Sequence, residues 1–534
     1  METQAQETQA PPIEVAPPAE PAAAPAPAPA PPSAGADTSE ARRLTLEILD
    51  LLLGAPTPPG VAVRLWDGTV WPVPNGAGEP AITLVLNHPA ALRRMFLPPT
   101  DLNLGEAYIR EDFDLRGDIE AAFAQQALLQ RMLHHPALAL TAARLLRQLP
   151  DGDDAADDRR GRVSLRGLRH SQRRDRVAIQ YHYDVSNDFY ALWLDPRMVY
   201  SCAYFPTGAE DLATAQTAKL DHICRKLRLV PGERLLDVGC GWGGLILYAA
   251  EHYGVEATGV TLSARQAALA RERIAAAGLE RRARVVLADY RALPAGRPFD
   301  KVASVGMFEH VGRGHLAEYF RTVHHLLRPG GLFLNHGIAA QHGFPSAVRR
   351  AIDHLVLERA SFMHHYVFPD GELVPISEAL GFAERAGWEV RDVESLREHY
   401  ARTLRNWVAR LAAHQDEAER LVGRQTYRVW RLYMAGSAYH FGRENLSVYQ
   451  SLLAKPDDAG HAAVPWSRAD IYEAPSPWPG PPSPDGHGGR SGSIRPGHGG
   501  PAPEDAPEDA ARHEGRLRGL TTDPTRRADR VGGW

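Results

Sequence analysis

The feature that most constrains the fold of this chain is a glycine-rich loop that directly follows a short apolar strand. The stretch reads RLLDVGCGWGG, and it fits the pattern G-x-G-x-x-G through Gly239, Gly241 and Gly244. Glycines at such a turn let the backbone approach a ligand closely and place that ligand at the N-terminus of the next helix. Because this pattern alone is a weak signal, the surrounding chain has to identify the ligand.

Strand-like and helix-like segments alternate around this loop. They read RLLDVG, GLILYAAEHY, VEATGVTL, SARQAALARERIAAAG, ARVVLADY, FDKVASVG, HLAEYFRTVHHLL and GLFLNHGIA. Such alternation predicts parallel strands joined by helices that cover both faces of the sheet. We therefore predict an α/β fold with a doubly wound, Rossmann-like sheet for residues 177–455.

A smaller folded unit is predicted for residues 39–150. It contains a hairpin with its turn at Asp67–Gly68, a strand in AITLVLN and helical apolar spacing from Asp118 onward. The stretch SEARRLTLEILDLLLG predicts a helix that begins at a serine cap, Ser39, and is closed by Gly54. We expect a small α+β domain, and its position suits a role in lipid docking.

The other segments are distinguished by their composition. Residues 1–38 are rich in Ala and Pro, and we predict that they form a disordered tail. Residues 456–534 are rich in Gly and Pro, and we predict a C-terminal tail that is largely disordered. Residues 151–176 form a charged linker in which DGDDAADD is followed by a cluster of arginines. This linker is either a solvated segment or a patch for anionic lipid headgroups.

Charge, cysteines and the N-terminus bound the class of protein. The formal net charge of −5 does not favour a nucleic-acid partner. Three cysteines cannot form a disulfide framework, which favours a reducing cytosol. The N-terminus lacks the basic start and apolar core of a secretory signal, and no apolar run approaches the roughly 20 residues that span a bilayer. We expect a cytoplasmic protein that reaches membranes peripherally, from their surface.

The second strand argues against a dinucleotide as the ligand. A nicotinamide site places an acid at the end of that strand, about 20 residues after the loop. Here the strand ends in Thr261, Leu262 and Ser263, and acids lie instead before the glycines at Asp237 and after the third strand at Asp289. With ADY, FDKVASVGMFEHV and LLRPGG, this arrangement resembles the class I S-adenosylmethionine (SAM) methyltransferases. The resemblance implies SAM as the cofactor.

Further stretches narrow the resemblance. YHYDVSNDFYALWLDPRMVYSCAYF precedes the core, GVTLSARQ follows the second strand, GMFEHVG follows the fourth, and YVFPDGEL and HYARTLRNW come late. Together they closely resemble the cyclopropane-fatty-acyl-phospholipid synthase family, which includes mycolic acid cyclopropane synthases. The resemblance covers residues 177–454 and, more loosely, the first unit through LGEAYIREDFDLRGDIEAAF. It implies addition of a methylene carbon across the double bond of an unsaturated acyl chain in a phospholipid at the membrane surface.

The chemistry of such a reaction sets requirements for the site. An isolated alkene is a weak nucleophile, so it must meet the SAM methyl group at close range with water excluded. The resulting carbocation is stabilised by aromatic faces, and a base must remove a proton before the ring closes. The aromatic candidates in the segment before the core are Tyr181, Tyr183, Phe189, Tyr190, Trp193, Tyr200, Tyr204 and Phe205.

The resemblance implies a bound bicarbonate ion as the base. Its cradle would be Cys202, Glu309, His336, Ile338 and Tyr400. Structural interpretations stay open beside this one. Cys202 also suits a small buried hydrophobe, Glu309 an exposed loop acid, His336 a satisfied core histidine and Tyr400 ordinary core packing.

The resemblance also implies the residues that contact SAM. Gln266 would hydrogen-bond the ribose in place of the missing acid, and Tyr290 would stack near the adenine. The full set is Tyr200, Ser201, Asp237, Gly239, Gly241, Gly243, Thr261, Leu262, Gln266, Asp289 and Tyr290. The histidines lack the spacing of a metal site, so we expect no metal.

Three alternatives remain open at this point. The helical region 403–454 carries an apolar and aromatic series that suits core packing, an acyl-chain tunnel wall or both. The same carbocation can lose a proton without ring closure, giving a methylene branch that a separate reductase would turn into a methyl branch. A third hypothesis is a non-catalytic lipid-binding protein with a degenerate methyltransferase domain. The family resemblance further implies a homodimer.

Overall fold

The computed structural model describes nine ranges of the chain, and the elements below lie within them. These ranges are 36–54, 60–72, 80–124, 135–151, 169–183, 185–294, 296–340, 361–462 and 464–472. They belong to one compact unit, in which a small sheet near the N-terminus and a large sheet are both packed.

The N-terminal module is built on a sheet with the order β2-β1-β3-β4. Strand β1 pairs antiparallel with β2 and parallel with β3, and β3 pairs antiparallel with β4. The strands are β1 (Val61–Arg64), β2 (Val70–Trp71), β3 (Ile82–Leu86) and β4 (Phe113–Gly117). The helices are α1 (Ala36–Leu53), α2 (Ala91–Phe96), α3 (Asp101–Ile109), α4 (Ile119–Phe123) and α5 (Pro136–Leu146).

The hairpin and the strand predicted in this module are confirmed, and the helix start is wrong. Gly68 has φ +90°, and the N–H of Leu65 donates to the carbonyl of Thr69 across the turn. Helix α1 begins at Ala36, so Ser39 lies within its first turn and is not its cap, although Gly54 follows its end as predicted. The helical stretch after Asp118 is divided between α4 and α5, and residues 125–134 lie outside the described residues.

The large sheet has the order β10-β11-β9-β8-β5-β6-β7. Strands β9, β8, β5, β6 and β7 run parallel, while β11 and β10 are antiparallel additions at one edge. The strands are β5 (Arg234–Val238), β6 (Glu256–Thr261), β7 (Ala283–Leu287), β8 (Phe299–Val305), β9 (Leu327–Ala340), β10 (Glu389–Ser395) and β11 (Leu446–Ala454). The predicted doubly wound, Rossmann-like α/β fold is confirmed.

Helices cover both faces of this sheet. The helices are α6 (Gln172–Tyr183), α7 (Asn187–Trp193), α8 (Leu212–Lys226), α9 (Gly244–His252), α10 (Ala264–Ala276), α11 (Leu316–Leu326), α12 (Phe362–Tyr366), α13 (Ile376–Arg385), α14 (Arg397–Ala413), α15 (Gln415–Gly442) and α16 (Ala469–Tyr472). Adjacent residues on one strand point to opposite faces, and Leu235 packs with α8, α9 and α10 while Leu236 packs with α11 and α13. Short 3₁₀ turns lie at Tyr290–Ala292, Phe308–His310 and Arg313–His315.

Two predicted boundaries fall inside helices. The boundary between residues 38 and 39 lies within α1, and the boundary between residues 176 and 177 lies within α6. Helix α16 lies in the segment predicted as the C-terminal tail, and its Asp470 pairs with Arg228. Residues 1–35 and 473–534 of the predicted tails and residues 152–168 of the linker lie outside the described residues.

None of the helices in the described ranges combines the length and the apolar character that crossing a bilayer requires.

Candidate active site

A first cavity opens at the carboxyl ends of the parallel strands β5, β6 and β8, where ligands bind in open α/β sheets. It collects ten of the eleven residues predicted to contact SAM. They are Tyr200, Ser201, Asp237, Gly239, Gly241, Thr261, Leu262, Gln266, Asp289 and Tyr290. The sequence segments that carry these residues are far apart in the chain, and the ends of parallel strands bring them together.

Gly243 is the exception among these predicted contacts. It does not line the cavity but stands at the N-cap of α9 with φ +82°. Its glycine is required by this left-handed backbone and by the close approach of α10, since an added Cβ would lie 3.2 Å from the Cβ of Ala270. The structure thus places Gly243 at the start of the helix, outside the lining of the cavity, and its contact with SAM stays a prediction.

Gly239 makes the closest backbone approach at this loop. Its φ is +84°, and an added Cβ would lie 2.9 Å from the Cβ of Met307. Its N–H and that of Cys240 both donate to the carbonyl of Val260, which ties the loop to the end of β6. These bonds fix the loop at the edge of the cavity, and because Gly239 has no side chain, its backbone borders the cavity directly.

Gln266 is oriented for a ligand by its neighbours on the β6–α10 turn. The hydroxyl of Thr261 donates to Oε1 of Gln266 at 2.8 Å, and the N–H of Gln266 donates to the hydroxyl of Ser263, the cap of α10. Because Oε1 is engaged, the side-chain amide keeps its N–H donors for a hydroxyl acceptor in the cavity. This geometry is compatible with the predicted contact to a ribose.

Asp237 and Lys219 are both buried and both line the first cavity, and each favours the charged form of the other. Burial raises the pKa of Asp237 to about 7, and its Oδ1 has no hydrogen-bond partner among the described residues. Burial lowers the pKa of Lys219 to about 8, and its ammonium donates to the hydroxyl of Ser201 at 2.9 Å. Lys219 was not predicted, because a lysine in the middle of a helix gives no local signal of burial.

Asp289 is paired rather than free. The guanidinium of Arg291 donates to both carboxylate oxygens of Asp289 and also contacts Asp175 at 2.9 Å. Tyr290 lies beside this network and lines the same cavity. The pairing holds the turn after β7 in place, so that Tyr290 is presented from a rigid support.

A second, larger cavity of about 730 Å³ adjoins the first. Its lining includes all five residues predicted for the bicarbonate cradle: Cys202, Glu309, His336, Ile338 and Tyr400. Five further residues line both cavities and form the wall between them: Tyr183, Tyr200, Ser201, Gly306 and His310. A cofactor in the first cavity would thus reach the second across this shared wall.

Glu309 is a buried carboxylate with one satisfied oxygen. Oε1 accepts a hydrogen bond from the backbone N–H of Ile338 at 2.8 Å, and Oε2 is buried without a partner among the described residues. Burial raises the pKa of Glu309 to about 7, and the bond from Ile338 opposes this shift. The interpretation of Glu309 as an exposed loop acid is therefore excluded.

The other cradle residues are neutral and act as donors or acceptors. Burial raises the pKa of the Cys202 thiol, which donates to the carbonyl of Ala203 at 3.2 Å. Burial lowers the pKa of His336 to about 3, and its Nδ1 lies 3.2 Å from the side-chain nitrogen of Gln450. Burial also raises the pKa of Tyr400 above its usual range. Among the five cradle residues, Glu309 is therefore the one that can carry a charge near neutral pH.

Few of the predicted aromatic candidates face this cavity. Of the eight, only Tyr183 and Tyr200 line it, while Phe189, Tyr190 and Trp193 pack in the core. Burial raises the pKa of both lining phenols, so each remains protonated. In the late apolar series, Tyr433 lines the cavity, whereas Trp407 and Leu411 are core.

The sheet order, the glycine-rich loop and the cavity beside it define a class I SAM-dependent methyltransferase. Residues 170–451 match the family described as mycolic acid cyclopropane synthetase. The chain belongs to this family and is an enzyme of the SAM-dependent methyltransferase type, as the sequence motifs predict. Residues 51–136 match a second family, described as a domain of unknown function.

Two relatives match over more than the catalytic domain. A probable fatty acid methyltransferase from Pseudomonas putida is 42% identical over 410 residues, which cover 77% of this chain and 95% of that protein. Another, from Mycobacterium tuberculosis, is 37% identical over 401 residues, covering 73% of this chain and 91% of that protein. The solved structure of the cyclopropane synthase MmaA2 from Mycobacterium tuberculosis is 35% identical, has a TM-score of 0.49, and covers 52% of this chain and 98% of that chain.

Proposed function

We propose that this enzyme uses SAM to add a methylene carbon across the double bond of an unsaturated acyl chain in a phospholipid. The observation that carries the proposal is the shared wall between the two cavities. It sets the cofactor residues beside a large cavity that holds Glu309, Cys202, His336, Ile338 and Tyr400 together. The description of the matched family, mycolic acid cyclopropane synthetase, and the name of the relatives, probable fatty acid methyltransferase, support an acyl substrate.

The residues of the first cavity fit SAM by their chemistry. SAM supplies an electrophilic methyl group on a cationic sulfur, and it also carries an ammonium and a ribose. The buried Asp237 Oδ1 lacks a partner that a cationic ligand group would provide, and Gln266 offers donors for the ribose hydroxyls. Gly239 leaves the backbone bare where a side chain would collide with Met307.

The residues of the second cavity fit an alkene substrate and a carbocation. Tyr183 and Tyr200 lie in the wall between the cavities, where their rings stabilise developing positive charge without bonding to it. Their phenols stay protonated because burial raises the pKa of each, so neither becomes a competing nucleophile. The apolar surroundings keep water from capturing the cation.

A bicarbonate ion fits the orphaned oxygen of Glu309. Bicarbonate has one O–H donor, and Oε2 of Glu309 is a buried acceptor without a partner among the described residues. When bound, the ion supplies the base for a proton of the new methyl group. Glu309, Cys202 and His336 would hold it, with the thiol and the imidazole neutral at physiological pH.

The product separates two outcomes of the same carbocation. Ring closure gives the cyclopropane, and loss of a proton without closure gives a methylene branch that a separate reductase would saturate. We favour the cyclopropane, and we place the reaction at the cytoplasmic surface of a membrane, where phospholipid chains are accessible. The polar residues Arg313, His364 and Glu372 line the same cavity and would suit a headgroup.

The decisive experiment is incubation of the purified protein with SAM and liposomes of monounsaturated phospholipid. Acyl masses are read by mass spectrometry and alkene protons by NMR, with SAM omitted as the control. A gain of one CH2 with loss of the alkene signal is the expected result. The same gain with a new methylene signal would assign the branched product. Absence of a gain despite SAM binding would point to a different substrate or to a non-catalytic lipid-binding protein.

A further inference from the structure

A third cavity, of about 350 Å³, lies between the N-terminal module and helix α15. The module contributes residues from α1, all of its central strands and helices α2 to α4. The lining is almost entirely apolar, and representative members are Leu52, Val61, Leu84, Met95, Leu104 and Leu432. Several of these side chains are only partly buried although they stand inside the fold, which shows that they border open space.

This cavity adjoins the second cavity, the proposed active site. Four residues line both: Met363, Tyr433, Ser437 and Leu446. The hydroxyl of Tyr433 also accepts a hydrogen bond from the hydroxyl of Tyr200, a residue that lines the first cavity. A row of contacts thus runs from the cofactor cavity through the active site to the N-terminal module.

Close contacts hold the module against the catalytic body around the cavity. A Cβ added to Gly105 would lie 2.2 Å from the ring of Phe362, and one added to Gly436 would lie 2.8 Å from the ring of Phe123. The hydroxyl of Tyr366 donates to the carboxylate of Glu106 at 3.0 Å. The N-terminal module and the rest of the fold are therefore closely packed around the cavity, and glycine is needed at Gly105 and Gly436 because a side chain there would collide with an aromatic ring.

The size and the lining indicate an apolar occupant. An engineered apolar cavity of about 150 Å³ stays dry and binds benzene. The cavity here is more than twice that volume, and a void of this kind costs stability unless something apolar fills it. Its polar residues are few, and they include Asp101, whose carboxylate accepts from the N–H of Phe362, and His440, whose ring lies 3.0 Å from the side chain of Asn445. A phospholipid headgroup would find few partners there.

We propose that the N-terminal module receives the methyl end of the acyl substrate, so that it selects for the length of chain beyond the double bond. The identity of the ligand as an acyl chain rests on the function proposed above. The double bond lies beside Glu309 and the wall of Tyr183 and Tyr200, and the distal chain passes Tyr433 and Ser437 into the third cavity. The carbonyl end stays with the polar residues of the second cavity.

A photolabelling experiment tests the location directly and needs no turnover. The full-length protein is incubated with a phosphatidylcholine whose monounsaturated chain carries a diazirine at its terminal carbon, then irradiated and mapped by peptide mass spectrometry. Adducts are expected on β3, α3 or the stretch Leu432–His440. A second probe, with the diazirine beside the double bond, should label near Glu309 or Tyr200 instead. Terminal-probe adducts confined to other regions would overturn the inference.

A selectivity experiment tests the consequence. Ser437→Phe would fill the passage between the cavities, and Ser437→Ala is the matched control. In Ser437→Phe, kcat/KM for substrates with a long tail beyond the double bond should fall at least about tenfold more than kcat/KM for substrates with a short tail. In Ser437→Ala, the ratio of these two values should stay as it is in the parent, whatever the level of activity. An equal loss for both tail lengths would contradict the inference.

Two controls keep this result interpretable. If Ser437→Phe fails to fold, Leu84→Phe fills the far end of the third cavity and should show the same dependence on tail length. If no variant and no parent protein methylates any acyl chain, the proposed function fails, while the photolabelling still decides the location. Turnover with terminal-probe adducts elsewhere would leave the proposed function intact and remove this inference.

Discussion

The carboxylate of Glu309 and the backbone N–H of Ile338 form a hydrogen bond of 2.8 Å between the turn after β8 and strand β9. This bond engages Oε1 of the carboxylate. The other oxygen, Oε2, is buried and has no hydrogen-bond partner among the described residues. A neutral side chain of the same shape would keep the first contact and alter only the second. A substitution at Glu309 can therefore remove the charge of the side chain while keeping the hydrogen bond that positions it.

Glu309→Gln should retain the fold and SAM binding but lose turnover. The amide oxygen can still accept from Ile338, whereas the charge that would hold a bicarbonate donor is removed. We expect kcat to fall by about 10² to 10⁴ with the dissociation constant of SAM unchanged. Single-turnover methylation and calorimetric SAM titration check this. Undiminished turnover would remove Glu309 from the mechanism.

The activity should rise with pH through neutrality because burial raises the pKa of Glu309 to about 7. The carboxylate is protonated below that value and ionised above it, so kcat increases as pH increases from 6 to 8. Asp237 and Lys219 have pKa values of about 7 and about 8 at the cofactor cavity, so SAM must be saturating. His336, with a pKa of about 3, is neutral throughout this window. The residual turnover of Glu309→Gln should lack the rise, and an identical profile would contradict this assignment.

Gly239→Ala should weaken SAM binding, and Gly208→Ala is its matched control. Both glycines have positive φ, +84° and +81°, so both variants bear similar backbone strain. The added Cβ at Gly239 would lie 2.9 Å from Met307, whereas that at Gly208 meets no atom within 4 Å. We expect SAM affinity to fall at least about tenfold only for Gly239→Ala, measured by calorimetry. Equal losses in the two variants would show that strain alone is responsible.

The parts of the site that the sequence predicts are those attached to strand ends. Gly239 and Asp289 follow strands of the parallel sheet and Thr261 is the last residue of one, and the topology places such positions at one edge. The family resemblance also implies Gly243 as a contact, and the structure places this glycine at the N-cap of α9, where the loop has already turned into the helix.

The parts that escape sequence reasoning depend on tertiary packing. Tyr183 and Trp193 belong to the same aromatic segment, yet one lines the active-site cavity and the other is fully buried core. Lys219 lines the first cavity together with Asp237 because α8 packs against that cavity, and the sequence of the helix alone does not show this packing. The third cavity arises where two separately predicted units meet, and neither unit shows it in its own pattern.

Arg428 should be the main electrostatic attachment of the N-terminal module. Its buried guanidinium donates to the carbonyls of Tyr108 and Phe113 at 2.7 and 2.9 Å, pairs with Asp114, and lies 3.8 Å from the centre of the Tyr108 ring. Removal of these donors leaves buried acceptors poorly satisfied. We expect Arg428→Met to lower the free energy of unfolding by about 2–4 kcal/mol.

Arg424 provides the control for this prediction because it is on the same helix but exposed. It pairs with Glu111 and Glu419, and its side chain is 59% exposed. Solvent screens such pairs, so Arg424→Met should change the free energy of unfolding by no more than about 1 kcal/mol. Urea unfolding followed by tryptophan fluorescence measures both variants.

Because the third cavity lies at the attachment that Arg428 makes, Arg428→Met should also become more susceptible to proteolysis within residues 36–124 before the catalytic domain unfolds. Equal stability of the two variants would show that the module is held by apolar packing alone.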